Sequence, residues 1–264
     1  MEAAKKVISE AKAVFCGNGA LFATAYVMKL SCTMISALLV YCVLICAQGV
    51  FDNSPDVIPV IAFGVLALVS VIASFPLRLG YKRMTVMLSK GYSADISDLF
   101  YYYSDLKLIK GSVKVYSGLV LRVLIGVALV FSVERAVYFA AVTLSFSIQN
   151  PEVGSLTNVI YSILTACVII IFILYMFRYV YVTYLAVENN CNSLNKCVKA
   201  SVMLARSEKN KFFGCLVHMV HLIALSLLVF PLLYTMPVFS LVSAVLAKHS
   251  IASANPGDRG DGSC

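Results

Sequence analysis

Long apolar runs alternate with basic and polar segments along this chain. Nearly uncharged stretches lie at residues 27–50, 57–77 and 157–178. Such lengths suit membrane helices, because about 20 apolar residues cross the hydrocarbon core of a bilayer. Strands of a membrane barrel would be shorter and would alternate between apolar and polar residues. The pattern predicts an all-α, polytopic helical membrane protein.

The predicted integral membrane domain covers residues 27–248 and has about six transmembrane helices. The spans lie near residues 27–50, 57–77, 115–148, 157–178, 212–230 and 232–248, with a turn near 230–237 between the last two. Residues 1–26 form a cytoplasmic N-terminal segment whose helix can break at 16–19. The Gly-, Ser- and Asp-rich residues 249–264 form a disordered cytoplasmic tail.

The third span is longer than a bilayer requires. A helix over residues 113–148 would reach about 54 Å at 1.5 Å per residue. One long, tilted helix is the preferred interpretation, and two pieces that break near Glu134 are the alternative.

Two basic segments, 78–114 and 188–211, separate spans and are predicted to lie on the membrane surface as amphipathic cytoplasmic helices. Asp95 has the position of an N-cap in the first segment, and Gly91 breaks the helix before it. The apolar residues with helical spacing after Asp95 are Ile96, Leu99, Phe100, Tyr103, Leu106 and Ile109. Those of the second segment are Leu194, Cys197, Val198, Val202 and Ala205.

Charge sets the predicted orientation. The chain has 264 residues, of which 61% are hydrophobic and 13% charged, and a net charge of +8. Nearly every Lys and Arg lies before the first span, in the two basic segments or after the sixth span. The positive-inside rule therefore places both termini in the cytoplasm of a cell-membrane protein. Because topology explains the positive charge, no nucleic-acid partner is expected.

Several stretches around the basic segments resemble a known family. They are Pro-Leu-Arg-Leu-Gly at 76–80, Gly91, Asp-Leu-Phe at 98–100, residues 186–190, Ala200, Ser201, Arg206, Lys-Asn-Lys-Phe-Phe at 209–213 and residues 231–234. Over roughly residues 70–248 the chain is similar to bacterial multi-pass membrane proteins catalogued as domain-of-unknown-function family 975. It departs from them in having no Trp, which the family commonly shows in its fifth span. The resemblance implies a fold and a membrane location but no activity, substrate or site residue.

Basic side chains at the predicted cytoplasmic side are candidate contacts for anionic lipid or for a protein partner. These candidates are Arg78, Lys82, Arg83, Lys107, Lys110, Lys209 and Lys211. Each base near an anionic leaflet contributes about 1 kcal/mol of attraction. The alternative is that these bases only set the topology. Lys29 is expected to extend its ammonium back to the interface, and Tyr179, Tyr181 and Tyr184 to form an aromatic belt.

A few polar side chains fall inside predicted spans: Arg122, Glu134, Arg135, His218 and His221. A charge inside a bilayer costs about 2.5–3.5 kcal/mol on insertion scales, so these residues are functional candidates. They suggest the alternative function, a small-solute transporter or channel built around the third span. The competing interpretation places Arg122 near the cytoplasmic interface with Glu134 and Arg135 at the outer one, or has all three face protein.

Catalytic chemistry has little support in the sequence. Cys215, His218 and His221 are spaced by three on one helix and could hold a metal, but hydrogen bonding between helices is the preferred interpretation. No phosphate-binding loop, dinucleotide fingerprint or nucleophile elbow occurs in the chain. The prediction is a non-enzymatic membrane protein without a cofactor.

Overall fold

The computed structural model describes residues 2–51, 58–147, 151–188, 194–225 and 229–254. Over these residues the regular elements are helices: α1 (Glu2–Phe51), α2 (Ile58–Ser89), a 3₁₀ segment (Ile96–Tyr103), α3 (Leu106–Ser147), α4 (Pro151–Phe177), α5 (Val182–Glu188), α6 (Leu194–Leu225) and α7 (Val229–Ala254). The all-α prediction is confirmed. Four stretches are long and apolar enough to cross a membrane: Ala4–Ala47, Ile58–Ser89, Leu106–Ala140 and Val159–Glu188.

Contacts divide the chain into two compact units. One unit consists of Met1–Val115 and Tyr181–Cys264, and the other of Tyr116–Val180. The first contains α1, α2, the 3₁₀ segment, the start of α3, and α5 to α7. The second contains the rest of α3 together with α4.

In the first unit, α1 and α2 form an antiparallel hairpin. The hydroxyls of Ser36 and Ser70 lie 2.8 Å apart where the two helices meet. Large apolar side chains remain exposed to the outside along both helices: Ile35, Leu38, Tyr41, Leu44, Ile61, Val65, Leu68, Val69 and Ile72. Such a large exposed apolar surface is typical of contact with lipid.

The N-terminal half of α1 is a helix that packs into the first unit. Asn18 has non-helical backbone angles and forms a kink, which lies within the predicted break at residues 16–19. The helix continues on both sides of this kink. Val7, Ala11, Phe22 and Ala25 on its inner face are buried, and α1 contacts both α6 and α7.

Helix α7 contains a long buried stretch. Its side chains from residue 240 to 247 are all buried, including Leu241 and Val245 at 0% exposure. It packs against α1, α2 and α6. A helix that is apolar on all sides can be buried in protein or in lipid, and here protein covers this stretch.

Helix boundaries in this region differ from the predicted ones. The sequence places a basic surface helix at 188–211 and spans at 212–230 and 232–248, whereas α6 runs through Leu194–Leu225 and α7 through Val229–Ala254. Nothing between the basic and apolar halves of α6 stops the helix. Pro237, near the predicted turn, lies inside α7. The physical reason is that a change in polarity does not end a helix without a capping or breaking signal.

Helix α2 also continues past its predicted end at residue 77. It passes through Pro76 and ends at Ser89, and Gly91 then adopts a positive φ of 85°. The predicted break at Gly91 is therefore confirmed. The basic residues from 78 to 83 extend a helix whose first half is apolar.

The predicted amphipathic helix after Asp95 differs in type and length. Residues Ile96–Tyr103 form a 3₁₀ segment, and a second cap at Asp105 starts α3, since the Lys107 backbone N–H donates to Asp105 Oδ1 at 2.9 Å. A 3₁₀ helix aligns residues three apart. Leu99 and Tyr102 are therefore both buried, whereas Phe100 and Leu106 of the predicted apolar face are exposed.

In the second unit, α3 and α4 contact one another through side chains. Helix α3 is a single helix over Leu106–Ser147, so the third predicted span is one helix and does not break near Glu134. The rings of Tyr138 and Tyr161 meet edge to face at 5.9 Å. Helix α4 begins at Pro151, a residue that favours the first turn of a helix.

Candidate functional site

Close backbone packing positions the C-terminal half of α2. Gly80 lies against the 3₁₀ segment, and a Cβ built on it would overlap the carbonyl oxygen of Leu99. The Tyr103 hydroxyl donates a hydrogen bond to the Ala73 carbonyl, near the helical hydrogen bond that Pro76 removes. Burial raises the pKa of Tyr103, so its hydroxyl remains a donor at neutral pH.

The start of the 3₁₀ segment is fixed by its own acidic residues. The Asp95 backbone N–H donates to Asp98 Oδ2 at 2.9 Å, and the Ser97 hydroxyl donates to Asp95 Oδ2 at 3.1 Å. Hydrogen bonds from the Ile96 backbone and from Ser97 lower the pKa of Asp95. This capping holds the segment against α2.

Three basic side chains converge where α1 and α2 leave their exposed apolar stretch. Lys29 of α1 places its ammonium 4.8 Å from the ring centre of Tyr81 and 5.3 Å from that of Tyr26. Arg78 of α2 donates from Nη2 to the Thr33 hydroxyl at 3.4 Å. Electrostatic repulsion from both Lys82 and Arg78 acts on Lys29. We call Lys29, Arg78 and Lys82 the basic cluster.

Helices α5 and α7 supply hydroxyl groups to the basic cluster. The Lys82 ammonium donates to the Tyr184 hydroxyl at 2.7 Å and to Ser240 Oγ at 3.1 Å. It also lies 4.5 Å from the centre of the Tyr184 ring, within cation–π distance. The Tyr184 hydroxyl in turn donates to the Ser240 carbonyl at 3.0 Å.

Within the described residues, no carboxylate lies within ion-pair distance of the basic cluster. The Nε of Arg78 is buried and finds no hydrogen-bond acceptor there. Tyr81, whose ring lies under the Lys29 ammonium, is only 1% exposed. Like charges that share a half-buried site repel one another, so the cluster is stabilised by any anion that enters it.

The other basic residues of the first unit have different surroundings. The Arg83 guanidinium stacks 3.5 Å from the centre of the Tyr101 ring, and its Nε lies 3.9 Å from Asp98. Lys107 and Lys110 are exposed on the first turns of α3. Lys90 pairs with Glu188 at 2.6 Å, which joins α2 to α5.

On α6, the predicted contact Lys211 is exposed. The side chains of Lys209, His218 and His221 lie outside those that the structure describes. The predictions made for these three residues therefore stay predictions.

The charged residues predicted inside the third span belong to the second unit. Arg122 donates to the Gly118 carbonyl at 2.9 Å within α3. Glu134 accepts a hydrogen bond of 2.5 Å from the Tyr161 hydroxyl of α4 and lies 3.7 Å from Arg135. The Arg135 side chain is 62% exposed, against 27% for that of Glu134. Only Glu134 of this pair is directed toward α4.

A groove of about 360 Å³ lies between α3 and α4. It is lined by Gly126, Leu129, Val130, Val133, Val168, Ile171, Phe172 and Tyr175. Neither Arg122 nor Glu134 is among these residues. The groove therefore offers an apolar surface, with the Tyr175 side chain as its polar contribution.

Sequence reasoning missed part of the basic cluster. Arg78 and Lys82 were predicted as lipid or partner contacts, but Lys29 was expected only to reach the interface. Tyr181 and Tyr184 were expected in an aromatic belt, and that expectation is wrong because both are buried, at 0% and 2% exposure. The sequence did contain a signal for Lys29. Tyr26 lies three residues before it, on the same face of a helix, which is a spacing that allows a cation–π contact.

Comparisons with known proteins give no relatives for this chain. No protein-family model, no curated protein and no solved structure matches it.

Proposed function

We propose that the protein is a non-enzymatic, multi-pass integral membrane protein whose basic cytoplasmic side binds anionic phospholipid head groups. The observation that carries the proposal is the change of surface along α2. Its exposed residues are apolar up to Ile72, and from Arg78 the helix becomes basic. Exposed Lys107 and Lys110 then follow at the start of α3.

This arrangement matches the two layers of a membrane. Exposed apolar side chains are stable in the hydrocarbon core, and basic side chains are stable at the head groups of the anionic cytoplasmic leaflet. Electrostatic attraction to the leaflet stabilises each exposed base there by about 1 kcal/mol. This attraction falls off with distance from the membrane surface over about one Debye length. The proposal therefore places both termini in the cytoplasm.

The finer topology belongs to the same proposal. The six predicted spans would require α6 and α7 to cross the membrane as well; Ser240 and Lys248 of α7 contact Lys82 and Ser89, beyond the apolar part of α2, so the proposal includes only the four helices that are long and apolar enough. Residues 188–211 and the 3₁₀ segment would then lie at the cytoplasmic surface. Membership of family 975 is also proposed, on the sequence resemblance alone.

A solute transporter or channel is the less supported function. The groove between α3 and α4 is lined almost entirely by apolar side chains. Glu134 is engaged by Tyr161 and Arg135. A hydrophilic solute gains little from such a surface.

The lipid shell of the full-length protein tests this proposal. The protein is extracted into polymer nanodiscs together with its surrounding lipid, and the lipid classes are quantified by mass spectrometry. We expect anionic phospholipid to be enriched over the bulk membrane. Lys107→Gln with Lys110→Gln should lower that enrichment severalfold, because two attractions of about 1 kcal/mol are lost.

Lys5→Gln with Lys6→Gln is the matched control. These two residues are exposed and carry the same charge, but they lie in the N-terminal half of α1, far from its exposed apolar stretch. Their replacement should leave the enrichment unchanged. A shell with the composition of the bulk membrane, or an equal loss in both double variants, would contradict the proposal. A stoichiometric protein that is lost with Lys107 and Lys110 would indicate a protein partner instead.

A further inference from the structure

We propose that the basic cluster of Lys29, Arg78 and Lys82 is a binding site for one phosphate group, supplied by the head group of an anionic phospholipid that enters beside α1 and α2. This inference rests on the proposed membrane location but concerns different residues. The exposed Lys107 and Lys110 attract lipid in general, whereas the basic cluster would hold a single group in a fixed position.

The donors of the site come from several helices. Lys29 is on α1, and Arg78 and Lys82 are on α2. Arg78 contacts Thr33, one helical turn after Lys29 on α1, and Lys29 lies over the ring of Tyr81, the residue before Lys82, so the three charges face the same part of the hairpin. Neutral hydroxyls surround them, since Arg78 contacts Thr33 and Lys82 contacts both Tyr184 and Ser240. Ammonium, guanidinium and hydroxyl groups are the donors that phosphate oxygens accept from.

One buried polar group at the site has unused hydrogen-bonding capacity. The Nε of Arg78 is buried and has no partner within the described residues. Buried polar groups are normally hydrogen-bonded, so an unsatisfied guanidinium N–H beside two ammonium groups points to an acceptor that binds there. A guanidinium can donate from Nε and one Nη to two oxygens of the same phosphate.

The parts of α1, α2 and α7 that surround the cluster carry no acidic residue. Residues 11–51, 58–89 and 229–254 contain no Asp or Glu. The described carboxylates of the first unit that form ion pairs have other partners: Asp98 pairs with Arg83, Glu188 with Lys90, and Glu10 with Lys248 and His249. An anion from outside the protein is therefore the group that neutralises this cluster.

The surface next to the cluster indicates a lipid as the source. Lys29 directly follows the exposed Val27 and Met28, and Arg78 lies six residues after the exposed Ile72. Lys29, Arg78 and Lys82 are themselves partly exposed, so a ligand can reach them. A phospholipid would place its phosphate in the cluster and its acyl chains along the apolar surface of the hairpin.

Binding to the purified full-length protein in detergent tests the site. The thermal unfolding midpoint is followed while three ligands are titrated separately: a short-chain phosphatidylglycerol, a phosphatidylcholine with the same chains, and inorganic phosphate. We expect phosphatidylglycerol to raise the midpoint at the lowest concentration. Arg78→Gln should weaken the apparent affinity for phosphatidylglycerol about tenfold. Arg78→Lys should weaken it less, because Lys keeps the charge but cannot form the bidentate hydrogen bonds of a guanidinium.

Lys90→Gln is the matched control, because it removes one charge directly after the end of the same helix. Lys90 is paired with Glu188 at 2.6 Å, so its loss should change the affinity less than twofold. If Arg78→Gln fails to give monodisperse protein, Lys29→Gln replaces it, with the same tenfold loss expected.

The outcomes separate the site from the general attraction of lipid. Unchanged affinity in Arg78→Gln and Lys29→Gln, or an equal loss in Lys90→Gln, would overturn the site even if the lipid shell depends on Lys107 and Lys110. If only inorganic phosphate raises the unfolding midpoint, and this effect depends on Arg78, the bound phosphate does not come from a phospholipid. Equal binding of phosphatidylcholine and phosphatidylglycerol would overturn the requirement for net negative charge.

Discussion

At the scale of single residues, Gly80 decides how closely the 3₁₀ segment approaches α2. Any Cβ at this position would overlap the backbone of Leu99, and backbone atoms cannot move aside as a flexible side chain can. Arg83 contacts both Tyr101 and Asp98 of the segment across this approach. The small residue therefore sets the position of the surrounding basic residues.

Gly80→Ala should destabilise the protein by about 1–3 kcal/mol, the usual cost of overpacking a tight contact. Gly64→Ala is the control, because Gly64 lies on the same helix with nothing within 4 Å of an added Cβ. That change should be neutral or slightly stabilising, since Ala favours a helix more than Gly. Thermal unfolding of both variants in the same detergent measures the difference. Equal stabilities would show that the 3₁₀ segment is not docked at Gly80.

Residue-level roles were only partly predictable from the sequence. The basic character of Arg78 and Lys82 and the cap at Asp95 follow from local pattern. The role of Tyr184 does not, because its hydroxyl meets Lys82 only when α5 packs beside α2, a contact between residues about 100 positions apart. Lys29 was missed for the same reason, since its partner Tyr81 lies on another helix.

At the scale of elements, α7 and the C-terminal half of α1 are both apolar helices, but their side chains have different surroundings. Both are rich in apolar residues, and local composition does not distinguish them. Leu241 of α7 is fully buried by protein, whereas Leu38 of α1 is 64% exposed. The apolar face of α1 is therefore available to lipid, and this part of α7 is covered by its neighbours.

Leu241→Ala should cost about 2–5 kcal/mol of stability, because it leaves a cavity in a packed core. Leu38→Ala makes the same chemical change on the exposed face of α1. It should cost less than about 0.5 kcal/mol, as surface substitutions usually do. Chemical unfolding followed by circular dichroism compares the two variants. A larger loss in Leu38→Ala would mean that another protein surface covers α1.

Helix type and helix ends were the weakest predictions at this scale. The apolar spacing after Asp95 fits an α-helix up to Ile109, but the Ser104–Asp105 pair caps a new helix and a 3₁₀ turn occupies the gap. The boundary expected at residue 212 is absent because α6 carries no breaking residue there. Apolar pattern predicted where helices occur, and capping chemistry determined where they end.

At the scale of the whole molecule, the chain combines a large apolar surface with basic residues at the ends of its apolar helices. The single long α3 and the apolar hairpin of α1 and α2 were predictable, because their patterns extend over many turns. The burial of α7 was not, since an apolar helix can be covered by protein or by lipid. The proposed function depends on the bilayer meeting the apolar surface and ending near Arg78.

The absence of Trp from this chain allows that boundary to be measured directly. Single Trp residues are introduced as Leu68→Trp, on the exposed apolar part of α2, and as Tyr92→Trp, just beyond its end. The two native side chains are 61% and 64% exposed, so both substitutions should be tolerated. Each full-length variant is reconstituted into liposomes, and quenching by brominated acyl chains is compared with quenching by aqueous iodide.

We predict that Leu68→Trp is quenched by brominated lipid and protected from iodide, and that Tyr92→Trp shows the reverse. Equal iodide quenching at the two positions would contradict this prediction, because α2 would then not pass from hydrocarbon to water between residues 68 and 92.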